Sequence, residues 1–184
     1  MSDMDHKGLN ERRQLAYTLL RERRYGEALQ RFLEVFDGTE PEIANCIAYI
    51  YSLSDYDGKN EGKSLEYYQV SASRGDDYAQ YAIGGIYFVR GDIASAVRYY
   101  ELASKNGNAE CSYQLYKILR DSGNRNGADE ILKRAADQGH PLCITKRSIR
   151  AINGKYGAHS IIPGIISYFR NIPALIKYSK ERVN

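Results

Sequence analysis

A glycine recurs every 32 residues in the middle of the chain, at Gly75, Gly107 and Gly139. Much of the sequence between these glycines keeps the same interval, as Tyr81 and Tyr113 illustrate. A fixed period in the low thirties is typical of stacked helix-turn-helix units, each of which buries its apolar face only against a neighbouring unit. The repeat therefore predicts an all-α fold, a right-handed α-solenoid of about five helical hairpins or part-hairpins.

The pattern divides the chain into three segments. Apolar residues at helical spacing predict an N-terminal tail and a first helical hairpin over residues 1–38. The repeats are expected over residues 39–153, and the last of their helices begins at Pro141. A glycine-containing break follows, so residues 154–184 are expected to form a separate C-terminal segment.

The repeat units resemble a known family. The clearest unit, residues 79–107, is similar to the Sel1-like repeat, a relative of the tetratricopeptide repeat, through Ala79, Ile83, Gly84, Tyr87, Gly91, Ala96, Tyr99, Tyr100, Ala103 and Gly107. The units at 43–75 and 111–139 resemble it as well, although Tyr116 replaces a glycine in the latter. The resemblance covers roughly residues 40–153. It implies a tetratricopeptide-like superhelix that assembles other proteins, without catalytic activity or a cofactor of its own.

The first helix of each unit is expected to line the concave surface of such a solenoid. If Ile83 and Ile86 point into the core, polar and aromatic side chains occupy the other side of the same helix and recur one repeat later. These residues are Gln80, Tyr81 and Phe88, followed by Tyr113, Gln114 and Lys117. Tyrosines beside amide and basic groups can hold an extended peptide or a partner helix. The alternative interpretation is an ordinary amphipathic surface.

The C-terminal segment is basic and amphipathic. Ser160 and Asn171 are predicted to cap two successive helices, with Pro163 and Pro173 in their first turns. The apolar stripe and the basic residues near it are Ile161, Ile165, Phe169, Ile172 and Ile176, with Arg170, Lys177, Lys180 and Arg182. We expect this segment to cap the apolar face of the last repeat. The alternative is docking on a partner or on an anionic membrane surface.

Charge is distributed unevenly along the chain. Residues 141–184 carry eight Lys and Arg against one acid, a net charge of +7, whereas residues 1–140 carry a net charge of −4. Such asymmetry suggests a basic end that meets something anionic. Nucleic acid is an unlikely partner, because only Tyr168, Phe169 and Tyr178 accompany these charges as stacking groups.

Little in the sequence suggests catalysis or a metal site. The histidines His6, His140 and His159 are expected in a tail and two turns, without a nucleophile or ligand partner at helical spacing. The three cysteines form no CxxC motif or Cys/His cluster, which favours small packing residues in a reducing compartment. We therefore predict a chain that is not an enzyme and has no metal or cofactor.

The first residues, Met1–Asp5, are acidic and lack the apolar segment of a secretory signal. Together with the cysteine content, this predicts a cytoplasmic location. The leading functional hypothesis is a scaffold or adaptor that binds an unidentified protein or peptide on its concave face. The alternative is a peripheral accessory protein at the inner membrane face, for example beside an envelope polysaccharide or signalling complex, attached through the C-terminal segment.

Overall fold

The computed structural model describes residues 3–182, with side chains from Gly8 onward, and this part of the chain forms ten α-helices and no β-strand. In chain order the helices are Asp3–Arg21 (α1), Tyr25–Val35 (α2), Pro41–Ser52 (α3), Glu61–Ser73 (α4), Asp77–Val89 (α5), Ile93–Lys105 (α6), Ala109–Asp121 (α7), Arg125–Asp137 (α8), Pro141–Ile152 (α9) and Ile161–Glu181 (α10). The all-α prediction is confirmed. One correction concerns the N-terminus: His6 belongs to α1 and not to a tail, and its side chain lies outside the described part.

The helices form two compact units, Met1–Asp92 and Ile93–Asn184. In the first unit α1 pairs with α2 and α3 with α4, while α2 packs on α3 and α4 packs on α5. In the second unit α7 pairs with α8 and α9 with α10, while α6 packs on α7 and α8 packs on α9. Each unit is thus a stack in which every helix lies against its sequence neighbour, as a helical repeat requires. The segment boundaries expected at residues 38 and 153 remain predictions.

The first unit has a continuous apolar core. Phe32, Ile47 and Ile50 are fully buried and belong to one cluster contributed by α1, α2 and α3. The ring of Tyr17 meets that of Phe32 edge to face, with the ring centroids 5.1 Å apart. Edge-to-face contact suits two aromatic rings that fill the space between helices.

The 32-residue interval has a local structural origin. Gly75, Gly107 and Gly139 follow the C-terminal ends of α4, α6 and α8 and have positive φ angles of 88°, 97° and 91°. Glycine suits this position because it adopts the left-handed conformation without a steric penalty. The next residue is the N-cap of the following helix. Asp76 and Asn108 cap α5 and α7, accepting hydrogen bonds from the backbone N–H groups of residues 79 and 111 at 2.7 Å and 2.9 Å.

The third copy of this junction differs from the other two. His140 occupies the capping position before α9, but its side chain makes no capping hydrogen bond. Pro141 follows at the first helical position, where a missing N–H costs nothing. The imidazole of His140 is therefore not needed at the helix end and turns toward α7 instead.

Candidate functional site

The residues predicted on α5 are not all at the surface. Gln80 is only 5% exposed, so its expected surface position is wrong. It shares the packed side of α5 with Ala79 and Ile83, which makes the buried arc of this helix wider than the periodicity indicated. Tyr81 is half-buried and Phe88 is 45% exposed. In the first unit, Phe88 is therefore the most accessible of the three.

The residues predicted on α7 form an ordered group in the second unit. The ring of Tyr113 stacks on that of His140, with centroids 4.5 Å apart, and lies 6.2 Å from the ring of Tyr116. The ammonium of Lys117 is 5.7 Å from the centroid of the Tyr113 ring and donates a hydrogen bond of 2.9 Å to the Gln114 side chain. All three predicted residues are half-buried, so their side chains are partly fixed before any ligand arrives.

Glu110, in the first turn of α7, is the hydrogen-bond acceptor on which this group converges. Its Oε1 accepts from Nε2 of Gln114 at 2.7 Å and from Nη2 of Arg182 at 2.8 Å. Its Oε2 lies 3.1 Å from both the Tyr178 hydroxyl and Nε2 of His140. The carboxylate thus connects α7 to the start of α9 and to the end of α10. Glu110 therefore joins the predicted α7 surface, through Gln114, to the predicted C-terminal segment, through Arg182.

The surroundings of Glu110 control its ionisation. Burial alone disfavours the charged carboxylate, but hydrogen bonds from His140 and the positive charge of Arg182 outweigh it and lower its pKa to about 2. Burial and the nearby Glu110 charge raise the pKa of Tyr178. At neutral pH the centre of the cluster is therefore an ionised carboxylate that accepts hydrogen bonds from the neutral Tyr178 phenol and the charged Arg182 guanidinium. Glu110 is therefore a fixed hydrogen-bond acceptor that can hold the side chains of Gln114, Tyr178 and Arg182 in place.

The C-terminal segment is one helix and not two. Asn171 lies inside α10 and is buried, so the prediction that it caps a second helix is wrong. Its Nδ2 donates to the Pro141 carbonyl at 2.7 Å and to Oγ1 of Thr145 at 2.9 Å, both on α9. Pro173 continues the helix. Ser160 stands at the N-cap position but makes no capping bond, since its hydroxyl faces backbone carbonyls before α10.

The face of α10 that packs on α9 has small and polar residues as its most buried members, with half-buried aliphatic and aromatic residues beside them. Gly164 and Asn171 are its buried members, and Ser167 and Tyr178 are half-buried. A Cβ atom on Gly164 would stand 2.8 Å from Cβ of Ala151, which shows how closely the two helices approach. Contact of this kind needs glycine on one side.

The predicted apolar stripe lies largely away from this contact. Ile165, Phe169 and Ile176 are exposed, while Ile161 and Ile172 are half-buried. The basic residues of the stripe are exposed as well: Arg170, Lys177, Lys180 and Arg182. Of these, Arg182 is directed back to Glu110. Helix α10 therefore covers α9 through a face beside the predicted stripe, and the stripe reaches this contact only at its half-buried edge, Ile161 and Ile172.

A groove of about 450 Å³ lies among α8, α9 and α10. Several of its polar groups already have partners within the protein. Asp129 pairs with Arg150 and Lys155, and the hydroxyl of Ser148 donates to the Ile144 carbonyl. Among the described side chains, those of residues 8–182, no group of three or more His, Cys, Asp or Glu is arranged to hold a metal ion. The same described residues include no helix long and apolar enough to cross a membrane.

Sequence reasoning missed Glu110, His140 and Tyr178. Two signals pointed toward them. The basic segment 141–184 contains a single acid, so any ionic partner of its other basic residues is expected from elsewhere in the chain. His140 also stands in the register of the capping residues Asp76 and Asn108, where a histidine is a poor replacement.

Comparison with known proteins provides structural relatives only. No protein-family model matches the chain, and no curated protein matches it in sequence. A Sel1 repeat protein from Oxalobacter formigenes superposes with a TM-score of 0.68 at 18% identity, over 89% of this chain and 68% of that one. The protective antigen c5321 of uropathogenic Escherichia coli, which has an SLR fold, gives 0.67 at 21% identity, over 90% of this chain and 38% of the antigen.

A third solved structure, that of MamA, superposes with a TM-score of 0.60 at 14% identity, over 89% of this chain and 97% of that one. At these low sequence identities, the superpositions show a shared fold and nothing about function. The sequential packing of helical hairpins and the register of the repeats agree with the fold of these solved structures. The fold of this chain is therefore that of the Sel1-like repeat proteins, an all-helical solenoid of tetratricopeptide-like hairpins.

Proposed function

We propose that the chain is a non-catalytic scaffold that binds another protein through an extended peptide or a helix. The binding surface is the side of α7 that presents Tyr113, Gln114 and Lys117, with Tyr81 and Phe88 of α5 as a second contact region in the first unit. The fold supports a scaffold in general terms, because stacked helical repeats offer extended surfaces to partners.

The observation that carries the proposal is the pre-ordering of the α7 surface. Tyr113 is stacked on His140, Lys117 is held over the Tyr113 ring, and Gln114 is hydrogen-bonded to Glu110. Side chains that are fixed before binding lose little rotamer entropy when a ligand arrives. A tyrosine face with an ammonium and an amide beside it suits peptide carbonyls, carboxylates and aromatic side chains.

The test is selection from a displayed library of random peptides with the purified chain, followed by affinity measurement on the enriched sequences. Lys117→Gln and Tyr113→Ala should each weaken binding at least fivefold by fluorescence anisotropy. Phe88→Ala reports on the region of α5. Tyr156→Ala is the matched control, because Tyr156 is an exposed tyrosine outside α5 and α7 and should leave binding unchanged.

Two results would contradict the proposal. One is the absence of any enriched peptide that binds the purified chain. The other is a peptide whose affinity is equal for the wild type, Lys117→Gln and Phe88→Ala, since these substitutions remove the accessible members of both regions. Thermal melting of each variant shows whether a lost affinity reflects a lost fold.

A further inference from the structure

Helix α10 leaves an apolar surface without a partner among the described residues. We call this surface the outer face, and it consists of Ile162, Ile165, Ile166, Phe169 and Ile176. Ile162 is 70% exposed and Phe169 is 64% exposed. Single exposed apolar residues are normal on a protein surface, but five within four turns of one helix mark an interaction site. At 1.5 Å per residue, the outer face extends over about 20 Å.

The outer face points away from α9. Gly164 and Asn171 fix the opposite side of α10 on α9, and the Tyr178 hydroxyl fixes its end on Glu110. The helix is therefore held in the fold by contacts that do not involve the outer face. A flat surface can meet the outer face while α10 stays packed on α9.

Positive charges accompany this apolar surface. Arg170, Lys177 and Lys180 are exposed on α10, and the one acid of this helix is Glu181. The pair of Lys177 with Glu181 spans 3.8 Å between two well-exposed side chains, so it neutralises little. A basic rim beside aliphatic and aromatic residues is the pattern of helices that lie in a membrane interface.

The charge selects among the possible occupants. A second copy of the chain would bring two positive rims together, which is unfavourable at short range. A groove on another protein is the remaining alternative, since grooves commonly enclose a single amphipathic helix, and the vesicle experiments decide between the two. We propose that the outer face of α10 lies on an anionic lipid surface, with its apolar side chains at the level of the acyl chains and its basic rim among the headgroups. This proposal goes beyond the scaffold function and does not depend on peptide binding.

The first experiment measures cosedimentation of the full chain with two kinds of vesicle. We expect binding to phosphatidylcholine mixed with phosphatidylglycerol and little binding to phosphatidylcholine alone. Exchanging Arg170, Lys177 and Lys180 together for glutamine should reduce binding by on the order of a hundredfold, at about fivefold per charge. The matched control exchanges Lys59, Arg74 and Lys105, three exposed basic residues elsewhere, and should retain most of the binding.

The second experiment reports on the position of the outer face itself. The chain has no tryptophan, so Phe169→Trp introduces a single probe. Its emission should shift to the blue when vesicles containing phosphatidylglycerol are added. Leu33→Trp, at an exposed apolar position on α2, is the control and should not shift. Ile162→Ser combined with Ile166→Ser should abolish vesicle binding while the far-ultraviolet circular dichroism stays unchanged.

Three results would overturn the proposal. The first is an absence of sedimentation with anionic vesicles. The second is vesicle binding without a shift of the Phe169→Trp emission. The third is a shift that follows protein concentration without lipid, accompanied by dimer formation in analytical ultracentrifugation, because the outer face would then meet a second copy of the chain.

Discussion

The two compact units use their apolar residues differently. The first unit places Phe32, Ile47 and Ile50 in a continuous apolar cluster. The second unit also has an aliphatic interior, but it positions its last helix through the buried polar residues His140 and Asn171, and it leaves four of the six isoleucines of α10 exposed. A buried polar group is costly unless it is hydrogen-bonded, and its bonds are directional. The second unit thus defines the orientation of α10 while keeping an apolar face free.

The largest expected effect is a loss of stability on replacing a buried phenylalanine, in comparison with an exposed one. Phe32 is 0% exposed in the first unit, and Phe169 lies on the outer face of α10. Phe32→Ala should lower the free energy of unfolding by about 3–5 kcal/mol, because it leaves a cavity in a packed core. Phe169→Ala should change it by no more than about 0.5 kcal/mol. Urea denaturation followed by circular dichroism measures both, and equal losses would mean that Phe169 is part of a core.

The second prediction concerns Glu110 and has a defined pH dependence. Its pKa is lowered from the ordinary 4.5 to about 2, so the ionised carboxylate stabilises the native state. Because the native pKa is the lower one, this contribution is fully present above about pH 4.5 and is lost as the pH falls toward 2. Glu110→Gln should therefore cost roughly 2 kcal/mol at pH 7 and little near pH 2.

Melting temperatures of the wild type and Glu110→Gln across this pH range provide the measurement. Glu61→Gln is the control, because Glu61 forms an exposed ion pair with Arg90 in the first unit. Such a pair contributes at most about 1 kcal/mol. A difference between the wild type and Glu110→Gln that stays constant from pH 7 to pH 2 would argue against an ionised Glu110 at the centre of the cluster.

The third prediction compares two helical glycines. Gly164→Ala places a methyl group 2.8 Å from Cβ of Ala151 and should cost about 1–3 kcal/mol, because α10 and α9 would have to move apart. Gly8→Ala in α1 has no atom within 4 Å of the added methyl group and should be neutral or slightly stabilising. Thermal unfolding distinguishes the two, and a neutral Gly164→Ala would contradict the close contact between α9 and α10.

The smallest effect is expected at Asn171. Asn171→Ala removes the hydrogen bonds to Pro141 and Thr145 and should cost about 1 kcal/mol. Its neighbour Arg170 is exposed, so Arg170→Ala should leave the unfolding free energy within about 0.5 kcal/mol of the wild type. Equal losses in the two variants, measured by urea denaturation, would mean that the amide does not anchor α10 on α9.

The sequence by itself determined the helical repeat and its junctions. Gly107 ends α6 because it adopts a left-handed conformation, and Asn108 begins α7 because its side chain caps that helix. Both effects depend only on residues a few positions away. Apolar spacing likewise depends on neighbours three or four positions away. Such local terms can be read from a single chain, which is why the all-helical fold could be predicted from the sequence.

The tertiary structure alone decided how α10 is used. Helical periodicity placed its isoleucines on one side but could not say whether that side would be buried. The site beside Ala151 on α9 admits only a glycine, and the amide of Asn171 fits there as an additional donor to the Pro141 carbonyl. Glu110 likewise meets Arg182 across 72 positions of sequence, a distance that no local pattern reports. Close packing and long-range hydrogen bonds therefore left most of the apolar stripe exposed, because they favour the face that fits over the face that is more apolar.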